Sequence, residues 1–246
     1  MREKLRQLFL NWGYRIDCIR FVPRQMLNPA NVTGLDFHHA VCRRMVEVGR
    51  PLNFMQIGEF DGRTGDPLYP YIHSHNWRGI MVEPQRRACD FLKILHAGNP
   101  RIQIVNAAIG RERGTTILYT VEGENLPEWC GGLASLSKES ILKHRHLVPE
   151  IENHLIAHEV DVMPFIDLFD SVGMQEQLDV LQIDAEGADA KILRLFPFNS
   201  SRPAIVHWEI KHLSKKERED CLDRLSNHGY RFASSGTEDM LAVLSH

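Results

Sequence analysis

The sequence predicts an α/β fold in which a mostly parallel sheet carries helices on both faces. Short apolar runs recur along the chain, and stretches with the hydrophobic spacing of helices lie between them. Several of these runs end in glycine or in a polar residue. This alternation is typical of parallel sheets covered by helices. The 246 residues are long enough for one large domain with a sizeable core.

The first fifty residues predict a helical extension ahead of the sheet. Apolar residues recur at helical spacing over residues 5–12 and again over residues 37–48. We therefore expect an N-terminal helical extension over residues 1–50 and a main domain over residues 51–246. The helices of the extension are candidates for an oligomer contact.

Apolar runs in the main domain predict its strands, and the segments between them predict helices. The expected parallel strands are residues 52–57, 80–82, 102–105, 180–183 and 204–210. The expected helices are residues 68–75, 88–95, 165–169 and 188–196, and a helix that begins at the capping box Ser214 to Glu217. Residues 231–233 and 241–244 are expected to pair as antiparallel strands at the end of the chain.

One stretch of the main domain lacks this regularity. Residues 121–155 contain Pro127, Gly131, Gly132 and Pro149, which interrupt any helix or strand. Short strands are expected beside this stretch, at residues 116–119 and 160–162. We interpret residues 121–155 as an insertion and as a candidate cover for the pocket of a substrate.

Composition limits the partners that the protein could have. Lys and Arg number 29 against 32 Asp and Glu, a net charge of −3 that argues against a nucleic-acid partner. No apolar run approaches the ~20 residues of a membrane-spanning helix, so no membrane association is expected. The five cysteines form no C-x-x-C pair, which favours reduced thiols in a cytoplasmic protein. These cysteines are residues 18, 42, 89, 130 and 221.

The ends of the predicted strands are the candidate binding positions, because open parallel sheets bind ligands beyond the carboxyl ends of their strands. The first strand ends in the turn Gln56 to Gly62, whose glycines stand as G-x-x-x-G. A dinucleotide fingerprint requires glycine where this chain has Phe60. A plain strand-to-helix turn is an equally good interpretation of this segment taken alone.

The next two strand ends suit a nucleoside. Glu83 ends the second strand, where a carboxylate can accept hydrogen bonds from both hydroxyls of a ribose. A solvent-exposed glutamate before a proline turn is the alternative. Asn106, Ala107 and Ala108 follow the third strand and leave room for an adenine ring.

Carboxylates and a histidine mark the last two strand ends. Asp184 and Glu186 follow the fourth strand, and His207 and Glu209 fall on one side of the fifth. Strand-end carboxylates are costly unless they are solvated, paired or used. The alternatives are helix caps or surface charges for the carboxylates, and a hydrogen-bonded core residue for His207.

Together these segments resemble the FkbM family of S-adenosylmethionine-dependent methyltransferases. The resemblance covers roughly residues 51–245, and its most distinctive parts are Asn106 to Gly110 and Ile183 to Ala188. It implies a Rossmann-like class I methyltransferase fold, with a seven-stranded sheet whose last strand is antiparallel. It also implies methyl transfer from S-adenosylmethionine, usually to an oxygen of a sugar or specialised metabolite.

The cofactor residues expected from these segments lie on four strand ends. They are Gln56, Gly58, Glu59, Asp61, Gly62, Glu83, Pro84, Asn106, Ala107, Ala108 and Asp184. The chain departs from the family pattern at Gln56, where Asp is common, and at Glu59-Phe60, where Ala-Asn is common. Glu59 is a candidate for the carboxylate that Gln56 lacks.

The expected chemistry is an in-line displacement assisted by a base. Asp184 and Glu209 are expected to line the acceptor pocket, with Glu186 beside them and His207 as a candidate base. Asp184, Glu186 and Glu209 could also bind Mg²⁺, but their spacing fits no strong metal signature, so no metal is predicted. The expected acceptor is a small molecule or a glycan.

Two other functions stay open at this point. A nucleotide-cofactor oxidoreductase would use Glu83 in the same way, although Phe60 argues against it. A cofactor-binding protein without catalysis could keep the fold and lose the chemistry, as the departure at Gln56 allows.

Overall fold

The computed structural model describes residues 36–58, 60–172, 177–235 and 238–245. The strands, in chain order, are β1 (Asn53–Ile57), β2 (Arg78–Val82), β3 (Ile102–Val105), β4 (Ala108–Ile109), β5 (Gly114–Val121), β6 (Ala134–Ser135), β7 (Leu155–Met163), β8 (Val180–Ile183), β9 (Ile205–Glu209), β10 (Tyr230–Ser235) and β11 (Asp239–Leu244). The helices are α1 (Phe37–Val48), α2 (Tyr69–His75), α3 (Arg86–Leu95), α4 (Lys138–Leu142), α5 (Phe165–Val172), α6 (Asp189–Leu195) and α7 (Lys215–Asn227).

The main sheet has seven strands in the order β10, β11, β9, β8, β1, β2, β3. Strand β11 runs antiparallel to both of its neighbours, and the other described pairs in this sheet are parallel. The chain passes outward from β1 to β3 and then returns to the other side of β1 with β8. This reversal leaves a crevice between β1 and β8, where doubly wound sheets bind their ligands. The predicted fold class is confirmed.

The sheet is buried on both faces. Because successive residues of a strand point to opposite faces, Phe54 belongs to one core cluster and Met55 to the other. One cluster lies against α5, α6 and α7 and includes Trp208. The other includes Trp77 and residues of α1 and α2. Strands buried on both faces read as continuous apolar runs, and this is why the sequence revealed them.

Helix α1 packs on the sheet through its apolar face. Phe37 and Val41 are buried in the second cluster, and Asp36 caps the helix by accepting a hydrogen bond from the backbone N–H of His39. The helix over residues 37–48 of the expected extension therefore packs on the main sheet and adds its apolar face to the core. The expected helix over residues 5–12 lies outside the described residues.

A second sheet, in the order β4, β7, β5, β6, stands beside the main one. Strands β5 and β7 pair antiparallel along eight residues of each, from Gly114 with Val162 to Val121 with Leu155. The expectation of short strands beside an irregular insertion was therefore incomplete. Many side chains of β5 and β7 are exposed, so the apolar runs that mark buried strands are missing. A third core cluster, which includes Cys130 and Ile151, lies under this sheet.

The described cysteines carry free thiols: Cys89, Cys130 and Cys221 are buried and Cys42 is partly buried. Cys18 lies outside the described residues. Within the described ranges, no helix is long and apolar enough to cross a bilayer.

Candidate active site

A cleft opens at the carboxyl end of the main sheet, beside β1, β2 and β8. Its cavity volume is about 200 Å³. Eight of the predicted site residues line it, and they come from four strand ends. These are Gln56, Gly58, Glu83, Pro84, Ala107, Ala108, Asp184 and Glu186.

Gly58 fixes the closest approach between the loops that follow β1 and β8. Its φ is +80°, and a Cβ at this position would stand 1.8 Å from the backbone oxygen of Asp184. The N–H of Gly58 donates to the carbonyl of Val82 at 2.9 Å, which ties the turn to β2. Only glycine fits this conformation and this space.

Glu83 is buried at the end of β2 and faces the cleft. One carboxylate oxygen accepts from the backbone N–H of Phe60 at 3.0 Å, and the other accepts from that of Gln85 at 2.7 Å. These bonds fix the carboxylate in place. A carboxylate is a two-oxygen acceptor, which is the chemistry that the two hydroxyls of a ribose require.

Gln56 and Asp66 form a polar pair deeper in the cleft. The amide of Gln56 donates to the Asp66 carboxylate at 2.8 Å, and the same oxygen accepts from the backbone N–H of Leu68 at 2.7 Å. Asp66 thus supplies a carboxylate beside Gln56, the role for which Glu59 was a candidate. Glu59 lies outside the described residues.

Three predicted cofactor residues lie outside the lining of the cleft. Asp61 accepts from the backbone N–H groups of Arg63 and Thr64 at 2.9 and 2.8 Å, and with Gly62 it shapes the loop behind the cleft wall. Asn106 donates from its amide to the carbonyls of Glu83 and Pro84, at 2.8 and 3.0 Å. These hydrogen bonds fix the conformation of the loops, and other residues of the same loops line the cleft.

The loop after β8 places Asp184 and Glu186 at the cleft. Asp189 is fully buried beneath the loop and accepts from the N–H groups of Ala185 and Gly187, at 3.3 and 3.2 Å. Asp184 lines the cleft, where the cleft walls and the carboxylates of Asp189 and Glu186 surround it. Burial and repulsion from these carboxylates raise the pKa of Asp184 well above its ordinary range.

His207 lies behind the cleft. Its Nδ1 is 2.7 Å from the side-chain oxygen of Gln182, which does line the cleft, and its ring packs on Phe37 at 4.7 Å between centroids. Burial and nearby His38 lower the pKa of His207 to about 4. The predicted role of a base that faces the acceptor therefore does not match its position, which is that of a support for Gln182.

Glu209 lies at the end of β9, beside Glu186 but outside the lining of the cleft. Burial raises the pKa of Glu209 to about 9, with further contributions from the carboxylates of Asp184 and Glu186. His212 stands against it, with Nε2 3.1 Å from Glu186 and 3.9 Å from Glu209. The carboxylates expected from the strand ends thus meet in one cluster.

The second sheet closes one side of the cleft. Gly132, Ser135 and Leu136 line it, and the hydroxyl of Ser135 donates to the carbonyl of Glu186 at 3.0 Å. The amide of Gln85 donates to the carbonyl of Gly131 at 3.2 Å. Residues from within the expected insertion therefore reach the loops that follow β2 and β8.

A sequence model described as "Methyltransferase FkbM domain" matches residues 56–232, most of the chain. The match spans the strand ends that build the cleft. The chain belongs to the FkbM methyltransferase family. Among the curated proteins, none matches the chain.

Several solved structures of low sequence identity are similar to this chain over much of its length. An FkbM methyltransferase from Methylobacillus flagellatus is 13% identical with a TM-score of 0.46, over 78% of this chain and 43% of that one. A putative caffeoyl-CoA O-methyltransferase from Staphylococcus aureus is 10% identical with a TM-score of 0.42, over 99% of this chain and 98% of that one. An O-methyltransferase from Bacillus cereus, solved in complex with SAH, is 12% identical with a TM-score of 0.38, over 93% of this chain and 94% of that one. This chain spans less than half of the Methylobacillus flagellatus protein.

Sequence reasoning missed several residues of the FkbM domain's cleft. Asp66, Gln85 and Gln182 line it, and Asp189 supports it. Gln182 stands within a predicted strand and Asp66 precedes Pro67 in a loop, so neither carried a signal of its own. An aspartate in the first turn of the predicted helix, two residues after Gly187, was the pattern that could have drawn attention to Asp189.

Proposed function

We propose that this chain is an S-adenosylmethionine-dependent methyltransferase that methylates a hydroxyl of a sugar or specialised metabolite. One observation carries the proposal: the glycine turn after β1, the buried Glu83 after β2 and the carboxylates after β8 all face one cleft. Family membership supports the same reaction class. The net charge of −3 favours a small molecule or glycan over a nucleic acid.

The chemistry of the cleft fits both ends of the cofactor. Glu83 offers a fixed carboxylate to the ribose hydroxyls, and the small side chains of Ala107 and Ala108 leave space for the adenine. Gln56 and Asp66 offer an amide and a carboxylate to the amino-acid end. When bound, the cofactor supplies an electrophilic methyl group on its sulfonium.

Asp184 is the candidate base for the acceptor hydroxyl. Asp184 follows β8 and Glu83 follows β2, so the two residues face the cleft from opposite sides of β1 and Gly58. An acceptor beside Asp184 would therefore lie on the side of the cofactor away from Glu83. A base is most effective when its pKa is close to the working pH, and the pKa of Asp184 is shifted upward. Glu186 lines the same end of the cleft and is a candidate to position the acceptor.

Titration calorimetry with S-adenosylhomocysteine and with NAD tests the cofactor assignment, because Glu83 would suit the ribose of either. We expect the wild-type chain to bind S-adenosylhomocysteine. Glu83→Gln should bind it about 10- to 100-fold more weakly, since a hydrogen bond to a charged group contributes about 1.5–3 kcal/mol. Glu219→Gln is the control, because Glu219 lies on the exposed face of α7. Binding of NAD without S-adenosylhomocysteine would favour the oxidoreductase.

Mass spectrometry separates the enzyme from a protein that only binds the cofactor. The chain is incubated with S-adenosylmethionine and a panel of glycans and metabolites, and products heavier by CH₂ are sought. We expect one acceptor class to gain a methyl group, and Asp184→Asn to form that product more slowly. Cofactor binding without methylation across the panel would favour the non-catalytic alternative.

A further inference from the structure

Three side chains with metal-binding atoms converge at the rim of the cleft. Glu186, Glu209 and His212 each place one ligand atom within 4.8 Å of the other two. Nε2 of His212 lies 3.1 Å from Oε2 of Glu186 and 3.9 Å from Oε2 of Glu209. Two carboxylate oxygens and one imidazole nitrogen therefore surround a common point.

Glu209 provides an independent observation that points to a cation at this position. Its side chain is nine-tenths buried, and its Oε2 accepts no hydrogen bond from any described residue. The neighbouring cation, Lys211, is directed to Glu238, with 3.3 Å between Nζ and the carboxylate. A buried carboxylate oxygen without a donor is costly, because it has lost its water without gaining a partner.

We propose that Glu186, Glu209 and His212 bind a divalent transition-metal cation such as Mn²⁺ or Zn²⁺. The donor set favours this class over Mg²⁺, because imidazole is a ligand of transition metals and Mg²⁺ prefers oxygen. Three protein ligands leave coordination positions open for water or for a substrate oxygen, the arrangement of catalytic rather than structural sites.

The position of this site suggests a role in the reaction. Glu186 is both a ligand and part of the cleft lining, next to Asp184. An acceptor hydroxyl bound to the cation would lose its proton more readily, and Asp184 could take it. This role rests on the proposed function, whereas metal binding itself does not.

The test is metal binding by the full chain after treatment with a chelator. Calorimetry with MnCl₂ and with ZnCl₂ measures the stoichiometry and affinity of binding. The loss of the electron paramagnetic resonance signal of free Mn²⁺ measures the bound fraction independently. We expect one ion per chain and weakening of about 10- to 100-fold or more in His212→Ala and in Glu209→Gln, as the loss of even an outer-shell partner of a metal has that effect. His146→Ala and Glu219→Gln, both exposed, should bind like the wild type.

Two outcomes would overturn the site: no saturable binding, or binding that both cluster variants retain. Glu209→Gln is nearly isosteric, so it serves if His212→Ala fails to fold. Each batch is also titrated with S-adenosylhomocysteine. Metal binding without S-adenosylhomocysteine binding would refute the proposed function and leave the metal site standing, and the reverse would refute the metal site alone.

Discussion

Gly58 illustrates how one residue couples two loops of the cleft. Its positive φ turns the chain away from β1, and its missing Cβ lets the carbonyl of Asp184 approach. Any other residue at this position would be strained for two reasons: its backbone would be left-handed, and its Cβ would collide with the backbone oxygen of Asp184. Gly98 has nearly the same φ, +78°, but a Cβ added there would have no atom within 4 Å, so Gly98 isolates the first source.

Gly58→Ala should therefore lower the free energy of unfolding by more than Gly98→Ala does. For Gly98→Ala we expect about 1–2 kcal/mol, the cost of left-handed backbone for an L residue. Gly58→Ala should cost more than that and weaken S-adenosylhomocysteine binding at least about tenfold, because the loops must separate. Urea unfolding and calorimetry measure both effects. Equal costs in the two variants would contradict the close approach.

At this scale the sequence revealed residues that end strands and missed those that reach the cleft from elsewhere. Gly58, Glu83 and Asp184 follow buried apolar runs, so their positions could be predicted. Asp66 reaches Gln56 across a loop, and its role depends on a fold that the local pattern does not contain. His207 has the alternation expected of a strand, but only packing shows that it contacts Gln182.

Among the elements, the end of helix α1 is joined to the main sheet by ion pairs to one buried carboxylate. The Asp179 side chain, 1% exposed, accepts from the guanidinium of Arg44 at 2.8 Å and from that of Arg50 at 2.7 Å. It also accepts from the backbone N–H of Asn53 at 2.9 Å, at the start of β1. Asp179 therefore joins the end of α1, β1 and β8.

Asp179→Asn should destabilise the fold by about 1.5–3 kcal/mol, the contribution typical of hydrogen bonds to a charged group, because the two arginine partners are partly exposed. Urea unfolding measures the change. Asp90→Asn is the control: Asp90 pairs with Arg86 on the exposed surface of α3, away from this network, and its loss should cost less than about 1 kcal/mol. A similar small effect in both variants would show that α1 does not rely on Asp179.

His96, at the end of α3, should make stability depend on pH. It is 6% exposed and stacks on His73. Burial, with a smaller contribution from His73, lowers its pKa to about 4. The unfolded chain binds the proton near pH 6.5, so this group's contribution is complete above that pH and is lost as the pH falls towards 4.

His96→Gln should therefore lose less stability than the wild type between pH 6.5 and 4, by up to about 3 kcal/mol. The other titrating groups are common to both proteins and cancel in the comparison. Urea unfolding at the two pH values gives the difference. His146→Gln, which changes an exposed histidine, should follow the wild type. Parallel losses in all three proteins would contradict the assignment.

Burial decides which strands could be predicted from the sequence. Strands β1, β8 and β9 are buried along their whole length, and the continuous apolar runs revealed them. Strands β5 and β7 expose many side chains, and the residues that pair across them are far apart in sequence. Their sheet could not be predicted from local patterns for that reason.

In the whole molecule, two sheets share one cleft. The seven-stranded sheet supplies the strand ends and the reversal beside β1. Ser135 of the second sheet and Gly131, in the segment before β6, contact the loops at these strand ends. The first is common to class I methyltransferase folds, so it followed from the alternation of elements and the resemblance. The second sheet and the segment before it contact the loops after β2 and β8, and these contacts had to be seen in three dimensions.

A crystal structure of the chain grown with S-adenosylhomocysteine tests the central claim most directly. The account predicts density in the cleft, with the ribose hydroxyls on the Glu83 carboxylate, the chain passing Gly58, and the amino-acid end beside Gln56 and Asp66. Density for the ligand elsewhere, or an unaltered cleft in crystals grown at saturating ligand, would contradict it.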